Sequence, residues 1–132
     1  MGTQVLSAND SLKGYYGGER IFINPTTKIQ YTEGVREIAI KSQSFWFLDI
    51  IASYQKELRN EGFQVWKLER EYSYSLVNNM KVVGLRKSCF NIVCEDGNDK
   101  VLVKQHLIFS DFPFDEYTVW YIDGVLILPV EY

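Results

Sequence analysis

A chain of 132 residues has the size of a single domain and can bury a core without disulfides or a structural metal. Hydrophobic residues make up 46% and charged residues 23%, which excludes a disordered chain. The net charge of −3 and pI near 5.2 exclude non-specific binding to nucleic acid or to an anionic membrane as the main activity.

The first 20 residues, ending in Gly14-Tyr15-Tyr16-Gly17-Gly18, lack periodicity and read as an irregular arm. Ile21-Phe22-Ile23 and Lys28-Ile29-Gln30-Tyr31 read as two short strands about an Asn24-Pro25 turn. Thr32 is placed to cap a short helix over residues 33–40, whose Val35, Ile38 and Ala39 fall at helical spacing. After a break at residues 42–44, the spacing predicts a main helix from Phe45 through Arg59, stopping before Gly62.

From Phe63 the period becomes two, with Gln64, Trp66 and Leu68 on one side and Phe63, Val65 and Lys67 on the other. Residues 71–88 fit an extended strand, a short helix around Leu76 to Val83, or a loop insertion, with Gly84 marking a turn. Phe90, Ile92 and Cys94 share a strand face up to an Asp96-Gly97 turn, and Val101, Val103, Leu107 and Phe109 continue beyond it. Past the Asp111-Phe112-Pro113 corner, Asp123-Gly124 joins a second hairpin. The expected fold is one α+β domain, residues 1–132: an antiparallel β-meander of four to six strands, with two helices from the N-terminal half packed on one face.

The chemistry-bearing residues are few. Cys89 and Cys94 lie five apart in one strand, roughly 16 Å at 3.3 Å per residue, too far for a disulfide and on opposite faces. Two reduced thiols, the absence of a roughly 20-residue apolar run and an N-terminus, Met1 to Leu6, unlike a signal peptide point to the cytoplasm and to no membrane partner. The one histidine, His106, alternates with Lys104 and Ile108 and reads as exposed, with no orienting partner or nucleophile in its local sequence. There is no phosphate loop, and neither a cofactor nor a metal site is expected.

Asp49 interrupts an apolar helical run, and Gln105 falls on an apolar strand face. Each is either a satisfied structural polar group or a ligand contact. Aromatic residues reach 15%, which suits a ligand pocket or a subunit interface as well as a core. The candidate ligand or partner contacts are Trp46, Asp49, Trp66, Gln105, Asp111, Trp120 and the terminal Tyr132.

Trp46-Phe47-Leu48-Asp49 with Ile51, Ser53 and Gln55, Phe63 to Leu68, Cys94 to Asn98, Gln105 with Ser110 to Pro113, and Asp123 to Val125 with Pro129 to Tyr132 form an ordered set. Together they resemble a family of short uncharacterised proteins of bacteria, notably cyanobacteria, and their phages, over residues 15–132. The resemblance implies no known activity. Carriage by a phage or mobile element implies a non-enzymatic inhibitor of a bacterial defence system that acts by stoichiometric occupancy in the host cytoplasm. Such a protein blocks a CRISPR-type effector with its acidic surface, or sequesters a nucleotide signal between aromatic rings and cations such as Arg70 and Arg86. The alternatives are a small metal-dependent hydrolase or nuclease using Asp49 and Asp111, and a structural homo-oligomer formed through a sheet edge or aromatic patch.

Overall fold

Thr32 ends a strand and starts a helix with one side chain. Its backbone is extended, and its hydroxyl accepts from the Val35 amide, as the capping rule requires, while donating to Glu131 Oε1 at 2.7 Å. In the computed structural model, which describes residues 5–12 and 20–132 (Val83 by its backbone alone), this cap opens α1, Glu33–Ser42. The N-terminal arm expected over residues 1–20 falls largely outside the described residues, its glycine and tyrosine segment included. Within it, residues 9–12 form a single 3₁₀ turn.

Gln43, in the left-handed conformation at φ 52°, closes α1, and α2 follows as Phe45–Ser53. Here the expected helix to Arg59 is corrected. Gln55 Nε2 takes the Ile51 carbonyl at 3.0 Å, while the Gln55 amide bonds the Ala52 carbonyl at 3.2 Å. Residues 54–60 therefore continue as turns.

The strands are β1 (Ile21–Ile23), β2 (Gln30–Thr32), β3 (Phe63–Val77), β4 (Met80–Glu95), β5 (Val101–Leu107), β6 (Glu116–Ile122) and β7 (Val125–Ile127). They form one seven-stranded sheet in the order β1-β2-β7-β6-β3-β4-β5, more strands than the expected four to six. It is also not a simple meander. The last hairpin, β6-β7, inserts between β3 and β2, so β6 pairs antiparallel with β3 and β7 pairs parallel with β2. The free half of β6 is covered by the N-terminal segment, through a parallel bridge between Ser7 and Glu116 and a reciprocal pair of bonds between the Asn9 amide and the Thr118 backbone.

The alternation along β3 buries Gln64, Trp66 and Leu68 completely. With Phe90, Ile92, Cys94, Tyr117, Val119 and Leu126, Trp66 and Leu68 belong to one hydrophobic core that also holds Val35, Ile38, Phe47, Leu48 and Ile51 of the helices. Phe112, at the corner before β6, stacks on Tyr117 and meets Phe90 edge-on. The opposite sheet face carries Lys67, Glu69, Asn91 and His106, none of them buried.

The C-terminus locks the start of α1. Glu131 Oε1 accepts from Thr32 Oγ1 and from the Leu128 amide, and a Cβ placed on Gly34 would lie 2.8 Å from Glu131 Oε2 and 3.0 Å from Leu128 Cδ1. Alanine in a helix normally outranks glycine by about 1 kcal/mol. At this position the sign reverses, and Gly34→Ala is expected to destabilise by about 1–3 kcal/mol, the usual cost of overpacking. Urea denaturation followed by tryptophan fluorescence checks it, and a neutral or raised midpoint refutes the packing argument.

Candidate functional site

Residues 71–88, left open between strand, helix and loop, are strand. β3 and β4 run on past the rest of the sheet as a two-stranded ribbon closed by Asn78 and Asn79, both at positive φ (54° and 63°), as a tight hairpin turn demands. Gly84 is not a turn. It faces Ser73, whose Oγ would lie 2.6 Å from an added Cβ and accepts from the Leu85 amide at 2.8 Å.

The register shows how the ribbon departs from the sheet. Arg70 pairs with Phe90, Tyr72 with Arg86 and Tyr74 with Val83, so β4 carries extra residues at two successive bulges. Bulges bend a strand and re-aim its side chains. From the second bulge onward the ribbon exposes Tyr74, Val77 and Val82, and above all Leu76 (76%), Met80 (69%) and Leu85 (81%). Val77, Met80 and Val82 share one side of it, and Leu76 and Lys81 pair on the other, where Lys81 Nζ sits 3.9 Å from the centre of the Tyr74 ring. Residues 71–88 hold three cations against one carboxylate, a net charge of +2 that leaves −5 on the rest of the chain.

A buried ion network anchors the ribbon's base. The Asp115 side chain, 1% exposed, accepts from Arg70 Nε at 3.0 Å and from the Leu6 amide at 2.7 Å, and Arg86 Nη2 forms an ion pair with it at 2.7 Å. Arg70, 9% exposed, also donates to the carbonyls of Lys87, Phe112 and Phe114 and lies over the Phe90 ring. Arg70, expected as a phosphate partner, is thus committed to the fold, together with the buried Asp115. Beside this network the Tyr72 hydroxyl titrates high, through burial first and the Asp115 carboxylate second.

On the outer sheet face below the ribbon, Glu69, Glu71, Asn91, Val93 and Lys104 border an open groove of about 320 Å³. At its edge Glu71, Cys89 and His106, from three adjacent strands, bring a carboxylate oxygen, a thiol sulfur and an imidazole nitrogen within 4.8 Å of one another. His106 Nδ1 lies 3.2 Å from both Glu71 Oε2 and Asn91 Oδ1. The Cys89 thiol is pushed above its ordinary value by partial burial and by the Glu71 carboxylate, so it is not an activated nucleophile. Cys94, on the core side, is pushed up to about 12, first by burial and then by Glu61 and its other acidic neighbours.

The residues singled out from sequence do not converge. Trp66 is fully buried, and its indole donates to Gln64 Oε1 at 2.8 Å. Gln64 also exchanges two 2.9 Å bonds with the Gln55 amide. Trp46 packs edge-on against Phe112, whereas Trp120 lies on the other sheet face between Phe63 and Tyr132. Tyr132 is exposed. Gln105 accepts from the Tyr54 hydroxyl at 2.7 Å. Asp49 and Asp111 are both exposed, so the buried carboxylate expected at Asp49 is corrected: its helix turns it to solvent. Neither belongs to the one metal-competent cluster found among the described residues.

What sequence reasoning missed was the ribbon and the outer-face cluster. The signal for the ribbon was present in the Asn78-Asn79 pair, but the bulges interrupt its alternation. Glu71, Cys89 and His106 are separated by 17 or more positions in sequence and meet only through register. The model of a family of unknown function, DUF6876, matches residues 6–132, and no curated protein and no solved structure matches the chain.

Proposed function

We propose that this chain, which belongs to the DUF6876 family, is a non-enzymatic binding protein that acts by occupying a partner protein, with the β3–β4 ribbon as the inserted element. The observation that supports this is the ribbon's exposure of Leu76, Met80 and Leu85 on an otherwise ordinary acidic domain. A lone two-stranded ribbon is marginally stable in water, and concentrated exposed apolar surface is the mark of an interaction site. Free strand edges add backbone pairing as a second source of affinity. The ribbon's net charge of +2 fits a partner whose receiving surface is acidic around an apolar centre.

The specific form of this reading is a stoichiometric inhibitor of a bacterial defence protein in the cytoplasm of the host. In that form the body, carrying −5, covers a basic nucleic-acid channel while the ribbon holds an adjacent apolar surface. A second reading is a homo-oligomer, favoured by the same charge division, since the basic ribbon of one copy complements the acidic body of another. Nucleotide sequestration draws less support, because Trp66 and Trp120 lie on opposite faces and Arg70 is already paired. A hydrolase built on Asp49 and Asp111 draws none from their placement.

The test places a photo-reactive residue at Leu76 or Leu85 in the full chain expressed in a bacterial host, followed by identification of the cross-linked species. One heterologous protein is expected, and Leu76→Asp and Met80→Asp should each weaken its binding about 30-fold, as hot-spot losses of about 2 kcal/mol do. Cross-links only between copies favour the homo-oligomer. No cross-link, or binding that both substitutions leave unchanged, sinks the proposal.

A further inference from the structure

We infer that Glu71, Cys89 and His106 form a binding site for a zinc-class divalent transition metal on the outer face of the sheet. Glu69, Asn91 and His106 face one another across β3, β4 and β5. Glu71 and Cys89 each stand two residues further along their strands, on the same face, at the point where the β3–β4 register breaks. The register that pairs Glu69 with Asn91 and Arg70 with Phe90 sets Glu71 opposite Cys89 just where the ladder breaks, with all three ligand atoms within 4.8 Å of one another.

The donor set decides the class of ion. A thiolate, an imidazole and a carboxylate are the mixed S, N and O ligands that zinc and its neighbours take, whereas calcium and magnesium require oxygen throughout. Metal–ligand bonds of roughly 2.0–2.3 Å at tetrahedral angles place ligand atoms about 3.3–3.8 Å apart. The Glu71–His106 separation of 3.2 Å is already at that scale, and side-chain rotation supplies the remainder.

The thiolate, not the thiol, is the metal ligand, so binding releases the Cys89 thiol proton. Asn91 Oδ1 lies 3.2 Å from the same His106 Nδ1, so that contact is exchanged for the ion on binding. None of the three side chains is fully buried, so the ion has an entry path and a fourth position open to water or to a partner's side chain. The site lies where the ribbon leaves the sheet, and a metal there ties β3, β4 and β5 together at the bulge. It does not depend on the identity of the ribbon's partner.

The experiment titrates chelator-stripped full chain with Co²⁺ and then with Zn²⁺. One equivalent of cobalt is expected to give a thiolate-to-cobalt charge-transfer band, which zinc abolishes by displacement, and zinc should raise the thermal midpoint of unfolding. Cys89→Ser should remove the band, His106→Gln and Glu71→Gln should each weaken zinc binding at least tenfold, and Cys94→Ala should change neither. His106 is exposed and Cys89 only partly buried, so these variants retain the metal-free unfolding midpoint. A band that survives Cys89→Ser, or a zinc affinity that the combined three-site variant shares with the unaltered chain, overturns the inference.

Discussion

Asp115→Ala is expected to lower the free energy of unfolding by about 3–5 kcal/mol, the cost of removing one partner from a buried ion pair. The lost carboxylate accepts from Arg70 and the Leu6 amide and pairs with Arg86. Its removal leaves the nearly buried Arg70 guanidinium with carbonyl partners but no countercharge. The two arginines separate the causes. Arg86 is 40% exposed, so Arg86→Ala should cost under about 1 kcal/mol, whereas Arg70→Ala should approach the Asp115 loss. Urea denaturation gives the energies, and amide hydrogen exchange should show faster exchange at Leu6 and Ala8, whose backbone groups tie the N-terminal segment to Asp115 and Glu116. A loss of under 1 kcal/mol for Asp115→Ala would show that the network contributes little to folding.

Gln64→Leu is the second large effect. The Gln64 side chain is fully buried, exchanges two bonds with Gln55, accepts from the Trp66 indole and donates to the Glu61 carbonyl at 3.1 Å. Leucine fits the volume but abandons the indole N–H in a dry core and strips Gln55 of its partner, an expected cost of about 2–4 kcal/mol. Trp66→Phe in the same chain removes the stranded donor. The double variant should therefore be less destabilised than the two single losses added, with a coupling of about 1 kcal/mol. Strict additivity would mean that the indole bond is not part of the energetics.

The legible parts of the fold were those encoded locally. The Thr32 cap, the Gln64-Trp66-Leu68 face and the Phe90-Ile92-Cys94 face each follow from one side chain's hydrogen-bonding ability or from a period of two. The Asp123-Gly124 hairpin is local in the same way, since both residues take positive φ in a two-residue turn. The end of α2 was not legible, because Gln55 could serve as a helical residue or as a side-chain cap, and its pairing with Gln64 decided which. Asp49 looked buried because its neighbours in sequence are apolar, but a nine-residue helix with one solvent edge exposes it.

The sequence by itself determined an acidic α+β chain with a helical segment followed by strands, because composition, capping and alternation act over a few residues. Tertiary structure alone decided the strand order, the parallel pairing of β2 with β7, the burial of Arg70 against Asp115 and the meeting of Glu71, Cys89 and His106. Those features join positions up to 95 residues apart, and what sets them is sheet register and its bulges, which no local pattern records.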